Sequence, residues 1–254
     1  KENYIPYGSY MVREKRAPQG FELNDTQVEY FQLTQVGGGT EKYSFTFKDD
    51  PKKSITLRKV SGDDGTPISG VRFKYWFNDQ YMGTTGATNS QGYISITNLS
   101  TGWYKFQETT TKEGYIDNEE FYSVYVDCSS SKPEYNIIVE NYELRDLLIT
   151  KLDAHSHEGL AGARFNIRSD DGSFNKNAVT GPDGTVTVSG LSWGTYTITE
   201  TNPPKGYLLP TDGSNVKTIV IDKDLVIKHN SAVTIEVPAF ENHMEKTLVV
   251  TKVD

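Results

Sequence analysis

The sequence is nearly free of cysteine. Its 254 residues contain one, Cys128. A single thiol cannot form an intramolecular disulfide, so a protein of this kind working outside the cell needs another means of stiffening its fold. No companion motif surrounds Cys128, and we interpret it as an ordinary residue at the end of a strand rather than as a reactive thiol.

Positive charge and long apolar runs are also scarce. The formal net charge is -8, with 26 basic and 34 acidic residues. This balance argues against a nucleic-acid partner, because such binding depends on Lys and Arg displacing counterions. No apolar run approaches the roughly 20 residues that span a bilayer, and no signal peptide opens the sequence. We expect no membrane insertion here, and any export or anchoring signal to lie outside this fragment.

Three short sequence blocks recur in a fixed order. The first carries a lysine, the second a glutamate, and the third a closing Asn or Asp. The glutamates lie 94 and 92 positions apart (108 − 14 and 200 − 108), and each closing residue precedes the next lysine by ten positions. The members are Lys59, Lys151 and Lys252, then Glu14, Glu108 and Glu200, then Asp49, Asn141 and Asn242.

These repeats predict the domain organisation. We expect a partial module over 1–51 that lacks its lysine strand, complete modules over 52–143 and 144–246, and the first strand of a further module over 247–254. Within the modules, short alternating runs rich in Val, Ile, Thr and Tyr are bounded by turn signals, and we find no convincing helix. The pattern predicts an all-β chain of tandem two-sheet sandwiches.

The nine repeated polar residues are predicted to face the core. Alternate residues of a strand share a face, and apolar residues stand two and four positions before each of the nine, with a proline among them before Asn242. Leu57 and Ile55 before Lys59 are an example. Burying an isolated ammonium or carboxylate is costly, so the lysine, glutamate and closing residue of a module should meet and satisfy one another.

Such a cluster can form a covalent bond. A desolvated lysine loses its proton and becomes a nucleophile, while a buried glutamic acid polarises the Asn carboxamide and shuttles a proton. Fixed proximity replaces collision, and the products are an amide crosslink and ammonia. The alternatives are an unreacted salt-bridge cluster, or a strand register that leaves the lysine in solvent.

The motifs carry a family resemblance. Lysine within 149–153, glutamate within 197–207 and asparagine within 240–242 together resemble the Cna B-type (prealbumin-like) repeats of Gram-positive surface adhesins and pilins. The resemblance implies seven-stranded inverse immunoglobulin-like sandwiches with intramolecular Lys–Asn isopeptide bonds. It implies the pairs Lys59–Asn141, assisted by Glu108, and Lys151–Asn242, assisted by Glu200.

The first module departs from this pattern. It has Asp49 in place of Asn, a change that the family tolerates with water as the leaving group. No lysine strand belongs to 1–51, so Glu14 and Asp49 have no local amine. Residues 1–51 would then be disordered or packed on the neighbouring module, or they would be completed by the Lys252 strand of another chain.

We therefore expect a structural stalk from the extracellular, cell-wall-attached surface of a Gram-positive bacterium, with neighbouring modules as partners. We expect no enzyme and no cofactor, because the glutamates recur singly and no phosphate loop, nucleophile elbow or clustered metal motif is present. His155 and His157, near Asp153 and Glu158, could ligate a metal. The corresponding stretch 61–63 lacks these residues, which favours a plain solvated loop.

The alternative is a ligand-binding adhesin module that recognises a host matrix protein or glycan. Its basis is Trp76, which is predicted to face outward and aligns with Arg168 (76 + 92). Packing between modules or chance would also account for an outward tryptophan. The second module has nine extra residues between Glu200 and Asn242, which we interpret as a longer loop near 212–230 with no assigned role.

Overall fold

The computed structural model describes residues 5–35, 42–228 and 233–252. The chain divides into two compact units. The first comprises 1–60, 67–110 and 119–139, and the second comprises 61–66, 111–118 and 140–254. Nearly all regular structure in the described ranges is β, as the sequence predicts, and no helix there has the length and apolar character that crossing a bilayer requires.

Residues before position 52 form two small antiparallel pairs. Strand β1 pairs with β3, and β2 pairs with β4. The strands are β1 Gly8–Arg13, β2 Phe21–Glu22, β3 Val28–Leu33 and β4 Asp50–Pro51. Within the first unit, Glu22 connects this part to the strands that follow, since its carboxylate accepts hydrogen bonds from the backbone amide of Thr101 at 2.9 and 3.1 Å and from the Thr101 hydroxyl.

The first complete sandwich has seven strands in two sheets. One sheet has the order β10-β9-β6-β7 and the other the order β11-β5-β8. The strands are β5 Lys53–Ser61, β6 Phe73–Phe77, β7 Gln80–Thr84, β8 Tyr93–Leu99, β9 Gly102–Glu108, β10 Phe121–Val126 and β11 Glu134–Asn141. In β5 the alternate residues Ile55, Leu57 and Lys59 are fully buried, so this strand turns one face to the core.

The second sandwich repeats this plan. One sheet has the order β14-β13-β16-β17, and in the other β12 lies between β15 and β18 and also pairs with β19. The strands are β12 Arg145–Asp153, β13 Arg164–Ser169, β14 Asn175–Val179, β15 Thr185–Leu191, β16 Gly194–Asn202, β17 Val216–Ile221, β18 Thr234–Glu236 and β19 Phe240–Asn242. Its core includes Leu147, Ile149, Phe165, Ile198 and Phe240.

The prediction of no helix and of a longer loop near 212–230 is wrong in detail. That range contains β17 and a short helix, α1, Lys223–Lys228. The Asp222 side chain accepts a hydrogen bond from the backbone amide of Leu225 at 2.7 Å, which is a helix N-cap. Three of the nine extra residues precede β17 (216 − 200 against 121 − 108), and six follow it (242 − 221 against 141 − 126).

Candidate crosslinking sites

The second sandwich brings its three repeated polar residues into one core. Lys151 lies on β12, Glu200 on β16 and Asn242 on β19, and none of the three is more than 1% exposed. Parallel pairing of β12 and β19 sets Lys151 opposite Phe240 and Asp153 opposite Asn242. Glu200 comes from the facing sheet, where it pairs with Phe165 of β13. The cluster is therefore buried between the two sheets, as the strand alternation predicts.

A hydrogen bond joins two members of this cluster. The Asn242 side-chain amide, through Nδ2, donates to Glu200 Oε1 at 2.8 Å. Two buried oxygens, Glu200 Oε2 and Asn242 Oδ1, have no hydrogen-bond partner among the described residues. Unsatisfied buried oxygens of this kind are costly and rare in folded proteins. A proton on Glu200 would satisfy the first oxygen, and a hydrogen-bond donor beside the carboxamide would satisfy the second.

Burial pushes both ionisable members toward their neutral forms. The pKa of Lys151 is lowered from 10.5 to about 8, because desolvation outweighs the opposing charges of Glu200, Glu241 and Asp153. The pKa of Glu200 is raised by desolvation, against the charge of Lys151 and the Asn242 hydrogen bond. A neutral amine and a neutral acid are the forms that nucleophilic attack on an amide requires.

The first sandwich repeats part of this arrangement. Lys59 Nζ lies 3.7 Å from Glu108 Oε2, and both side chains are buried. Lys59 Nζ also donates to the carbonyl oxygen of Val139 at 3.3 Å. Glu108 pairs with Phe73 just as Glu200 pairs with Phe165. Asn141 is 2% exposed and ends β11, two residues beyond Val139.

Two glycines hold the lysine strands in place, a role that sequence reasoning did not assign. The backbone amide of Lys59 donates to the carbonyl of Gly92 at 2.8 Å, and that of Lys151 donates to Gly184 at 2.8 Å. Both glycines have φ near +79°. A Cβ would come within 2.3 Å of the Lys59 carbonyl oxygen at Gly92 and 2.6 Å of the Lys151 oxygen at Gly184. In the sequence, Gln91-Gly92 and Asp183-Gly184 are turn signals, and nothing there indicates this packing role.

The role of Asp153 was also missed by the sequence analysis. Its carboxylate accepts hydrogen bonds from the amides of His155 and Ser156 at 2.7 and 2.9 Å and from the Tyr207 hydroxyl at 2.8 Å. These bonds, those to the backbone first, lower its pKa to about 2. Asp153 therefore stabilises the loop that follows the lysine strand. Separately, the described residues contain no cluster of His, Cys, Asp and Glu side chains able to bind a metal.

Glu14 and Asp49 also lie together. Desolvation, then the charge of Asp49 and a hydrogen bond with it, raise the pKa of Glu14. Asp49 Oδ1 accepts a hydrogen bond from the backbone amide of Asn24 at 3.1 Å. The pair borders a cavity of about 480 Å³ that Phe21 and Phe47 also line. Both carboxylic side chains are only half-buried, unlike their counterparts in the complete modules.

The segment around Lys252 forms no strand over 247–252, and 253–254 lie outside the described residues. Leu248 and Val250, predicted to face a core, are 87% and 81% exposed. This difference has a simple cause, because an apolar strand face is buried only when another sheet covers it. Cys128 is 1% exposed, and burial raises the pKa of its thiol, which suits the structural role expected of it.

Comparison with known proteins gives distant relatives among bacterial surface proteins. Serine-aspartate repeat-containing protein D of Staphylococcus aureus strain Newman is 21% identical over 270 residues, covering 87% of this chain and 20% of the relative. The trypsin-resistant surface T6 protein of Streptococcus pyogenes is 28% identical over 138 residues, covering 48% of this chain and 26% of the relative. The chain thus spans about a fifth to a quarter of the length of these relatives.

Solved structures and a family profile were compared with the chain as well. A streptococcal ancillary pilin is 21% identical with a TM-score of 0.40, covering 96% of this chain and 77% of the pilin. The profile of the SpaA prealbumin-like fold domain matches residues 53–141 and again residues 145–233, which is more than half of the chain. The profile match shows that the chain belongs to the SpaA prealbumin-like fold family, and its relatives include a surface protein of Streptococcus pyogenes.

Proposed function

We propose that this chain is a tension-resisting section of a stalk in a Gram-positive surface adhesin or pilin, and that autocatalytic Lys–Asn isopeptide bonds lock its modules. The observation that carries the proposal is the buried cluster of Lys151, Glu200 and Asn242. Three polar groups in a dry core have a high cost of burial, and condensation of two of them replaces a primary amine and a primary amide with one secondary amide.

The proposed reaction begins with neutral Lys151. Its Nζ attacks the side-chain carbonyl carbon of Asn242 to form a tetrahedral intermediate. A half-turn of the Asn242 amide places Oδ1 against Glu200, and protonated Glu200 then donates to that oxygen as negative charge develops there. Glu200 next carries a proton from the lysine nitrogen to the leaving amide nitrogen. The C–N bond to that nitrogen breaks and ammonia leaves. As the carbonyl of the new amide forms, the hydroxyl of the intermediate returns its proton to Glu200.

We propose the same bond between Lys59 and Asn141, with Glu108 in the role of Glu200. Support comes from the equivalent spacing of the repeats and from the burial of all three side chains. The approach of Lys59 to Glu108 matches the acid–amine contact that the reaction needs. The name of the streptococcal T6 relative records resistance to trypsin, a property that such crosslinks would confer on this chain.

Glu14 and Asp49 are proposed as an acceptor site of the same type that awaits its lysine. Among the described residues, the charged group acting on Glu14 is Asp49 rather than an amine. A lysine-bearing strand laid beside 45–49 would bring its amine to Asp49, with Glu14 as the assisting acid. The bond would release water, because the Asp49 carboxyl has a hydroxyl as the leaving group.

The proposed setting is the cell surface, with attachment to the wall through parts of the protein outside this chain. Neighbouring modules of the same protein are the proposed partners. This placement rests on the relatives, which include a surface protein of Streptococcus pyogenes and an ancillary pilin.

Intact mass spectrometry of the purified chain tests the crosslinks. We expect a mass lower than the sequence value by two ammonia molecules. Lys59→Ala should abolish one of the two losses and Lys151→Ala the other, and tryptic digestion should yield branched peptides joining Lys151 to Asn242. A chain with the full uncondensed mass, in which both lysines react with an amine reagent after unfolding, would refute the proposal.

Lys53 provides a matched control. It lies on the same strand as Lys59, is only 6% exposed, and donates through Nζ to the carbonyl oxygen of Ser130 at 2.8 Å. Its neighbours in the described structure include no repeated glutamate. Lys53→Ala should therefore keep both ammonia losses, which separates the specific chemistry of Lys59 from the general effect of removing a buried lysine.

A further inference from the structure

The first complete sandwich carries exposed aromatic rings on the outer face of its β10-β9-β6-β7 sheet. Cross-strand pairing places Tyr81 beside Trp76 and Tyr125 beside Trp103. Ring centroids are 5.7 Å apart in the first pair and 5.4 Å in the second, and Phe121 lies 5.8 Å from Trp76. We call these five residues the aromatic face.

Nothing in the described chain covers most of this surface. Trp103 is 57% exposed, Tyr81 53%, Phe121 51% and Tyr125 46%, while Trp76 is half-buried by its neighbours. Single exposed apolar residues are ordinary, but adjoining exposed rings on one face mark an interaction surface. Aromatic rings also lose little conformational entropy on binding, which makes them effective anchors.

Polar groups lie between the rings. Lys105 is opposite Trp76 on β6 and opposite Ser123 on β10, and its Nζ lies 4.1 Å from the centre of the Phe121 ring. Asp79 stands at the turn between β6 and β7, beside a cavity of about 370 Å³ that Lys105 and Ser123 also line. Among the described residues, none of the side chains of Lys105, Ser123 and Asp79 has a hydrogen bond or ion pair, so all three can bind a ligand.

The second sandwich shows that the fold does not require these rings. In its corresponding sheet Trp76 is replaced by Arg168 and Trp103 by Thr195 (103 + 92). Register gives the remaining equivalents. Val220 pairs with Thr195 just as Tyr125 pairs with Trp103, and Val216 pairs with Thr199 just as Phe121 pairs with Gln107. Asn175 pairs with Arg168 just as Tyr81 pairs with Trp76. The same sheet is thus built with small or charged outward side chains, and the aromatic face is a property of the first sandwich alone.

We propose that the aromatic face binds an oligosaccharide. The apolar C–H faces of sugar rings stack on aromatic rings, and sugar hydroxyl groups both donate and accept hydrogen bonds. One ligand could therefore satisfy the Lys105 ammonium, which only donates, and the Asp79 carboxylate, which only accepts. A proline-rich peptide would stack on the rings but offers chiefly carbonyl acceptors, which leaves Asp79 without a donor. The net charge of -8 disfavours nucleic acid.

Binding of defined oligosaccharides to the whole chain tests this proposal. The probes are cellohexaose, chitohexaose and a hyaluronan oligosaccharide, titrated by calorimetry and by tryptophan fluorescence. We expect saturable binding of at least one probe. Trp76→Arg and Trp103→Thr, which copy the residues of the second sandwich, should each weaken that binding at least about tenfold.

The matched control is Arg168→Ala, at the position equivalent to Trp76, which should bind as the unchanged chain does. Circular dichroism and thermal melting establish that each variant is folded. Absence of binding to all three probes, or binding that both tryptophan variants retain, would overturn the proposal. Tighter binding of a proline-rich peptide, lost in the same two variants, would also overturn it and assign the aromatic face to a peptide. None of these outcomes depends on the isopeptide bonds, whose ammonia losses are measured separately.

Discussion

At the scale of single residues, the second sandwich places one amine and one acid where both lose solvent. The reactive form of the pair carries a single proton, which sits on Glu200 and leaves Lys151 neutral. At low pH both groups are protonated and the amine cannot attack. At high pH both are deprotonated and no acid is left to polarise the amide.

Crosslink formation should therefore have a bell-shaped pH dependence. The alkaline limb is expected near pH 8, because the depressed pKa of Lys151 is about 8. Above that pH the pair loses its last proton, so Glu200 can no longer act as an acid. The acid limb should lie above the ordinary range of a glutamate, because burial raises the pKa of Glu200. To measure it, unfolded and uncondensed chain from inclusion bodies is refolded at a series of pH values. The rate of ammonia loss is measured at each pH by mass spectrometry.

Glu200→Gln tests which residue sets this profile. It retains the size and hydrogen-bonding capacity of the side chain but removes the titrating proton, so ammonia loss from the second module should become very slow at every pH. The loss from the first module should keep its rate and serve as an internal standard. A rate that rises steadily with pH, with no alkaline limb, would exclude the acid role of Glu200.

The sequence alone predicts that the residues of the second cluster are buried, but it does not predict which residues contact the strand of Lys151. Strand alternation fixes the face of Lys151, since Ile149 and Leu147 precede it at intervals of two. The bond from Tyr207 to Asp153 joins residues 54 positions apart, and no local pattern specifies such a contact. The close approach of Gly184 to the Lys151 carbonyl is likewise a property of packing between elements.

At the scale of elements, the closing strands of the two sandwiches differ. Strand β11 runs without a break over Glu134–Asn141, whereas the equivalent stretch is divided into β18 and β19. Pro238 lies in the gap and cannot donate a backbone hydrogen bond to the ladder. The sequence predicts the position of the closing strand, and the proline explains its division. Helix α1 was missed because a six-residue helix carries too little periodicity to be distinguished from a loop.

In the part of the chain that the structure describes, the stretch 45–49 pairs with no strand, although its sequence position is that of a closing strand. Phe45, Phe47 and Asp49 are half-buried, while their equivalents in the second sandwich, Phe240 and Asn242, are at most 1% exposed. A lysine strand laid alongside would complete the burial of this face and place its amine at Asp49. The sequence 247–254 has the required pattern, with Leu248 and Val250 on the same face as Lys252.

A synthetic peptide of sequence 247–254 should therefore form a covalent adduct with the chain. The expected product has the summed mass of chain and peptide less one water, and it should survive denaturing electrophoresis. Asp49→Ala, and a peptide with arginine in place of Lys252, should each abolish the adduct. An adduct that persists in Asp49→Ala would show that the amine reacts elsewhere, and the proposed acceptor site would be wrong.

At the scale of the whole molecule, each proposed bond joins the first strand of a sandwich to its last. The loop closed between Lys151 and Asn242 spans 91 positions (242 − 151). A covalent link across a loop of this length removes about 4 to 5 kcal/mol of conformational entropy from the unfolded chain by the loop-closure estimate. The bond also changes how the sandwich carries load. A force applied to the chain ends passes through the bond, so the residues between Lys151 and Asn242 are not stretched.

Single-molecule stretching of the chain measures directly whether the residues between Lys151 and Asn242 extend under force. With both bonds intact, we expect neither complete sandwich to release a long unfolding step before the attachment fails, because covalent bonds withstand forces that separate hydrogen-bonded strands. Asn242→Ala should open the second sandwich and release about 30 nm of chain, since each extended residue contributes about 3.3 to 3.6 Å. Ser189→Ala, at an exposed position of the same sandwich, should release no such step. A step of about 30 nm from the second sandwich of the unchanged chain would show that Lys151 and Asn242 are not joined, because a bond between them excludes that length from extension.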